Sequence, residues 1–273
     1  MPVSKPWSRR SVGGSGVSAP EGWQACAALL ERGDADRFAA AMAAPVAVRA
    51  LLCPLWAFNL EVARAPWASS EPMIAEMRLQ FWRDVLEERA AGKPPRAHEV
   101  AAPLAEVLCR VPEVIPALDR LVAARRWDIY RDPFEDEAAF AAYLDDTAGS
   151  LAWAGARVLG ATDEEAIRRI GRAHGVAAWL MAVPELEARG RIPLVDGRPE
   201  AVAELARSAG AELRALRRRR LGAADHALRA GWRAEAALAH AARDPGAVAR
   251  GELGGSEAAR RASLIWRKLR GRR

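Results

Sequence analysis

The feature that most constrains this chain is a helix whose centre carries no charge. Across Gly171–Leu194, GRAHGVAAWLMAVPELEARGRIPL, the pattern opens as an amphipathic helix, and from Gly175 to Val183 no residue is charged. Pro184 follows, then a polar exit containing Glu185, Glu187, Arg189 and Arg191. An uncharged helix centre with a charged exit belongs deep inside a helical bundle. If the helix lines a pocket, this part of the wall has no carboxylate to hold a metal and no Arg to hold a phosphate.

The remaining pattern agrees. Ala, Leu, Arg and Glu dominate the 273 residues, and all are good helix formers. Period-two runs of β-branched residues are missing, so strands have little support. Helices are expected over Trp23–Arg32, Ala35–Ala44 with Asp34 as N-cap, Val46–Arg64, Met73–Ala90, Glu99–Arg110, Pro112–Tyr130 and Glu137–Gly160. A capping box at Thr162–Glu165 restarts a helix that leads into the opening stretch, and Glu200–Leu221 and Ala224–Arg243 follow. Pro54 should kink its helix or mark a new start, because an interior Pro costs about 3 kcal/mol. Short links between helices mean an all-α, single-domain fold. The expected boundaries are a flexible tail over residues 1–20, a helical domain over 21–258 and a basic tail over 259–273.

Composition excludes several function classes. Cys26, Cys53 and Cys109 are scattered and odd in number, which predicts buried or semi-buried free thiols in a reducing compartment. His98, His174, His226 and His240 are scattered too, and His174 reads as a packed or capping residue. The net charge of +6 is compatible with a nucleic acid, an anionic membrane or an anionic substrate. The Arg217–Arg220 run has no aromatic platform beside it, so no nucleic-acid partner is expected. The most apolar segment, Phe38–Leu60, is broken by Pro45, Arg49 and Pro54, and no membrane span is expected. The first twenty residues lack the apolar core of a secretory signal.

Five stretches, in order, resemble the squalene/phytoene synthase family. WAFNLEVAR (Trp56–Arg64) is similar to the first pocket helix and RLQFWRDVLEE (Arg78–Glu88) to the next. LDRLVAARRWDIYRDPF (Leu118–Phe134) is similar to the approach to the central helix. YLDDTAGSLAW resembles the Tyr-x4-Ala-Gly motif through Tyr143, Ala148 and Gly149. GVAAWLMAVPELEARGRIPL resembles the second pocket helix with its Arg-Gly-Arg exit. The resemblance implies an isoprenoid (trans-prenyltransferase) synthase-like fold, an antiparallel helical bundle around a central cavity. It implies a cavity lined by Phe58, Asn59, Tyr143, Ala148, Gly149, Ala178, Met181 and Ala182.

The enzymes of that family join two isoprenyl diphosphates. Ionising an allylic diphosphate needs the leaving charge neutralised by Mg²⁺, which takes oxygen ligands, so carboxylates recur on two facing helices. This chain departs at both places. Positions matched to the first aspartate run hold Ala63, Arg64 and Trp67. Those matched to the second motif hold Ala178, Met181, Ala182, Glu185 and Leu186, so only the Glu remains. The candidate catalytic residues reduce to Glu61, Tyr143 and Glu185, with no metal ligand set and no cofactor; Mg²⁺ enters only if the chain is an enzyme. A second branch, which includes the mitochondrial complex I assembly factor with a squalene/phytoene synthase-like domain, is similar in Ala57-Phe58-Asn59-x-Glu61 and in Arg78–Asp84. Its members are thought to lack the reaction.

Other residues have plainer readings. Asp84, Glu87 and Glu88 suit a solvated helix face. Asp145 and Asp146 are adjacent and diverge by about 100°, so they do not share one ion. Asp128 suits a buried salt bridge with an Arg. At the C-terminus, Ala262, Ile265, Trp266 and Leu269 share one helical face among basic residues including Arg267 and Lys268. That pattern fits contact with an anionic membrane surface and also fits a basic tail with one docked turn.

The expectation is a non-catalytic, membrane-associated binding or respiratory-complex assembly factor. It would be cytoplasmic or peripheral at an inner membrane, with an anionic membrane surface or a respiratory-complex subunit as partner. The alternatives are a Mg²⁺-dependent prenyltransferase acting on isoprenyl diphosphates and a carrier holding a prenyl chain in the cavity.

Overall fold

The computed structural model describes residues 19–254, and every regular element among them is a helix. The main helices are α1 (Trp23–Gly33), α2 (Ala35–Met42), α3 (Val46–Arg64), α4 (Pro72–Ala90), α5 (Ala101–Arg110), α6 (Ile115–Ala124) and α7 (Glu137–Leu144). They continue as α8 (Ser150–Val158), α9 (Glu164–Ala188), α10 (Pro199–Leu216), the short α11 (Asp225–Leu228), α12 (Ala234–Arg243) and the short α13 (Gly246–Ala249). Local chemistry sets several starts. Asp34, Asp136 and Asp163 each accept a hydrogen bond from the backbone N–H three residues on, at 3.0, 2.8 and 3.2 Å, capping α2, α7 and α9. Pro72 and Pro199 occupy first helical positions, where a missing N–H costs nothing.

The uncharged helix lies where its composition requires. Ile167, Ile170, Ala173, Ala177, Leu180 and Val183 of α9 are buried, and α8, α10 and α12 pack around it. Across the cavity stands α3, buried without a break from Leu52 to Leu60. With the turn that follows it (Ala65–Trp67), α3 is long and apolar enough to cross a membrane, yet most of it is buried among the other helices. Of the residues expected to break the Phe38–Leu60 stretch, Pro45 does so as the N-cap of α3, whereas Arg49 and Pro54 lie within the helix.

Small residues bring α9 unusually close to its neighbour. A Cβ on Gly171 would lie 2.7 Å from the Ala152 Cβ and 2.8 Å from the Ala148 carbonyl oxygen; one on Gly175 would lie 2.7 Å from the Ala148 Cβ. This approach accompanies the largest departure from the sequence reading. The single helix expected over Glu137–Gly160 is split by a wide, π-type turn at Asp145–Gly149. Within it the Thr147 hydroxyl donates to the Tyr143 carbonyl at 2.6 Å, a back-bond that loosens helices locally.

Other expected helices are shorter than their patterns. Pro112–Tyr130 resolves into two 3₁₀ turns, Pro112–Val114 and Arg125–Asp128, flanking α6. Ala224–Arg243 is interrupted at Arg229–Gly231, where the His174 ring occupies the space a Cβ on Gly231 would need. The basic run after Leu216 lies outside α10. The C-terminal tail boundary, most of the N-terminal tail and the C-terminal contact residues Ile265, Trp266, Arg267, Lys268 and Leu269 lie outside the described residues.

Candidate functional site

The cavity between the two pocket helices, of about 440 Å³, opens between the C-terminal ends of α3 and α9. Leu60 and Ala63 of α3, Tyr143, Thr147 and Ala148 around the wide turn, and Ala178, Trp179 and Ala182 of α9 form its wall. A narrower space of about 180 Å³ adjoins it, shares Ala148, Leu151, Gly175 and Ala178, and reaches Trp56, His174 and Met181. The wall is largely apolar because the uncharged part of α9 supplies one side. Its polar groups gather at two levels, a buried floor and an exposed mouth.

The floor is a cluster around Asp128, which is 3% exposed. The Tyr143 hydroxyl donates to the Asp128 carboxylate at 3.0 Å, and Arg125 donates to the Tyr143 oxygen at 2.7 Å and to Asp128 Oδ2 at 3.0 Å. Arg191 donates to the Asp128 backbone carbonyl and stacks on the Trp127 ring. Burial pushes the Tyr143 phenol well above its ordinary range, so it stays protonated and acts as a donor. Burial, opposed by Asp128, draws Arg191 down; against the same burial, Tyr143 and Asp128 hold Arg125 up. A ring of aromatics fixes these groups: Trp127 stacks on Phe134 at 4.1 Å, and Trp179 lies edge-on to Tyr143 at 5.3 Å and donates to the Pro193 carbonyl at 2.8 Å.

The mouth is made by the ends of the two pocket helices. α9 closes with Gly190 at φ +75°, a conformation that favours glycine. The Gly190 N–H bonds the Glu187 carbonyl and the Arg191 N–H bonds the Leu186 carbonyl at 3.0 Å. That turn aims both flanking arginines at one ring: Arg189 lies 4.6 Å and Arg191 5.3 Å from the centre of Trp67, just beyond α3. Glu185 pairs with Arg189 at 2.6 Å, and Arg64 completes the rim. Arg37, held by Asp34, closes the deeper side.

Several buried donors here have no protein partner. Arg37 Nε, Arg125 Nε, Trp127 Nε1 and Arg191 Nη1 are buried and unbonded, and all four belong to the cavity wall or to the layer behind it. All are N–H groups, so the region is short of acceptors.

The residues singled out from sequence divide unevenly. Asn59, Tyr143, Ala148, Ala178 and Ala182 line this cavity, and Glu185 stands at its mouth. Met181 faces the narrower space. Phe58 does not line it: it is fully buried behind the wall, edge-on to Trp82 at 5.3 Å. Gly149 is also absent, because the wide turn places it against α9, beside Gly171. Glu61 is half-buried on α3 and lies outside the wall, so the two remaining acids do not face each other across the cavity. Asp128 has the buried Arg partner expected of it. Asp145 and Asp146 diverge as their adjacency requires, Asp145 to Arg168 and Arg172 and Asp146 to Arg120. Asp84 and Glu88 are taken by Arg96. Arg125, Arg191 and Trp67 escaped the sequence reading as a set. The only signal was the Arg-Gly-Arg exit, which gives no hint that a Trp more than a hundred residues earlier is its target.

Divalent-cation chemistry is poorly served. Among the described residues, no three Asp, Glu, His or Cys side chains converge as a metal would require. The cavity's carboxylates, Asp34, Asp128 and Glu185, are each already bonded to an Arg. Mg²⁺ needs oxygen ligands, and this donor set does not fit it.

A family model described as squalene/phytoene synthase matches residues 30–255. Among curated proteins, the chain is similar to NADH dehydrogenase (ubiquinone) complex I, assembly factor 6. The Rattus norvegicus protein is 29% identical over 188 residues, 67% of this chain and 56% of that one. The Homo sapiens protein is 28% identical over 191 residues, 68% and 56% of the two chains. The Drosophila melanogaster homolog is 29% identical over 184 residues, 62% and 53%. The chain spans about half the length of these relatives. A crystal structure of a dehydrosqualene synthase in complex with ligand matches with a TM-score of 0.66 at 15% identity, over 91% of this chain and 95% of that one. At that identity the likeness establishes the fold alone, and the fold is that of the isoprenoid synthases.

Proposed function

The chain belongs to the squalene/phytoene synthase family, and from that premise we propose that it keeps the family's fold and acts by binding, as a non-catalytic factor in the assembly of a respiratory complex. One observation carries the reading. At the positions matched to the family's aspartates and metal-binding side chains, the cavity wall offers a guanidinium and apolar groups, Ala63, Arg64, Trp67, Ala178, Ala182 and Leu186, and one carboxylate, Glu185, already paired with Arg189. A metal-dependent ionisation needs carboxylate oxygens there, and a fixed positive charge opposes a divalent cation. The similarity to proteins named as complex I assembly factors supports a respiratory-complex subunit as the partner. The reading carries with it a cytoplasmic location, peripheral at the inner membrane.

The test is direct. Purified protein is incubated with farnesyl or geranylgeranyl diphosphate and Mg²⁺, and pyrophosphate release is followed. We expect release at background. Release above background that disappears in Glu61→Ala or Glu185→Ala overturns the reading in favour of a prenyltransferase.

The unpartnered donors favour a second reading, a carrier that holds an acceptor-rich ligand such as a prenyl phosphate without turning it over. It predicts saturable binding of a prenyl monophosphate in the presence of a chelator, weakened in Arg125→Met. Absence of binding removes it.

A further inference from the structure

We propose that the rim of the cavity is a seat for an anionic lipid bilayer, with Trp67, Met73, Met77 and Ile192 entering the interface and Arg64 and Arg131 meeting lipid phosphates. Met73 is 74%, Met77 67%, Ile192 60% and Trp67 36% exposed.

A chain of contacts joins them around one opening. Trp67 belongs to the cavity wall, Arg191 lies over its ring, and Ile192 follows Arg191 directly. The 3₁₀ turn that carries Trp67 packs on α4 and on Arg125–Asp128. Met73 and Met77 stand one helical turn apart on α4 and flank Glu76, which accepts from the Tyr130 hydroxyl at 3.0 Å. Tyr130 is itself 46% exposed and adjoins Arg131. Arg131 in turn reaches Gly190, at the end of α9. The rim thus returns to where it began.

Charge decides between a bilayer and a protein as the occupant. Arg64 and Arg131 are exposed and have no carboxylate within ion-pairing distance among the described residues. Glu76 and Glu185 are already paired, with Arg126 and Arg189. A protein covering this rim would have to supply matching acids or leave cations buried. An anionic membrane surface supplies phosphates wherever the arginines fall, while Trp and the apolar prongs suit the headgroup boundary. The arrangement is independent of whether the cavity is catalytic, and it does not involve the basic C-terminal segment.

The test is flotation of the full chain with vesicles of phosphatidylcholine alone or mixed with phosphatidylglycerol. The unaltered protein should float with the mixed vesicles only. The apolar variant M73S/M77S/I192S and the basic variant R64Q/R131Q should each lower the partition coefficient about tenfold or more, since each basic residue near an anionic surface contributes roughly a factor of five. Their thermal melts should match the parent, because every altered side chain is exposed. The variant R267Q/K268Q/R270Q, which neutralises the C-terminal segment, should still float. Rim variants that float like the parent overturn the proposal. So does binding lost only in the C-terminal variant, equal flotation with neutral vesicles, or no flotation at all. None of these outcomes depends on pyrophosphate release, so failure here and failure of the non-catalytic reading are separable.

Discussion

Asp128 and Glu88 are both carboxylates bonded to an Arg, and they sit in opposite surroundings. Asp128 is 3% exposed and shares its oxygens between a tyrosine and Arg125, with a second Arg on its own carbonyl. Glu88 receives both arms of Arg96, at 2.8 and 2.9 Å, on the exposed side of α4. Arg96 holds the Glu88 carboxyl below its ordinary value. The bonds are of similar length, so geometry does not separate them. What differs is the alternative open to each partner once the bond is gone. Water replaces Arg96 around Glu88, whereas nothing replaces Asp128 between Arg125 and Tyr143.

The sharpest way to break the contrast is Asp128→Ala. It leaves Arg125 buried without its counter-charge, and urea unfolding should show a loss of about 3–5 kcal/mol. A loss comparable to a surface mutation would mean that water reaches the floor. Tyr143→Phe keeps the ion pair and removes one hydroxyl, so the same measurement should show about 1–3 kcal/mol.

The thiols extend the comparison to pH. Burial pushes Cys26 and Cys53 up to about 12 from the ordinary 9.0, whereas Cys109 is exposed. Below pH 9.0 these thiols are protonated in both states and cost nothing. Above it the unfolded chain loses their protons first, so stability should fall as pH rises from 9.0 towards about 12. Thermal melts across that range check the fall, and Cys26→Ala should flatten part of it. At neutral pH a maleimide should label Cys109 alone in the native protein; rapid labelling of three thiols would contradict the burial. The smallest effect belongs to Arg96→Gln, which should leave the melting temperature unchanged within error and insensitive to salt.

Much of the fold is legible in sequence because it rests on local rules. Asp34 is a capping residue wherever an N-terminus needs an acceptor, the start of α9 lies at the expected capping stretch although Asp163 and not Thr162 is the cap, and the apolar centre of α9 has one stable environment. The wide turn at Asp145–Gly149 was not legible. Its residues form an ordinary helical pattern, and the close approach of α9 through Gly171 and Gly175 that accompanies it is a tertiary contact no local pattern records. The site was legible on one side only. Ala178 and Ala182 could be placed by the spacing of α9, but Phe58 and Asn59 are neighbours on α3, and spacing alone does not say which faces the cavity. The floor was least legible, since Arg125, Tyr143 and Arg191 meet from three separate segments around an Asp whose role depends on all of them.

The wide turn has a further meaning as a phase shift. A helix advances about 100° per residue, so one surplus residue between Tyr143 and Ser150 rotates everything before it relative to everything after. In a regular helix docked through Leu151, Ala154 and Gly155, Tyr143 would point about 100° away from Asp128, and the floor would have no roof. The turn therefore acts as an adjustable joint in the sequence. Deleting a single residue there would remove the surplus and let α7 and α8 join as one regular helix with Tyr143 still facing Asp128, whereas a further insertion would swing α7 with its tyrosine out of the cavity. A further insertion at Asp145–Gly149, more than a substitution, is the change through which this chain would lose the roof of its pocket.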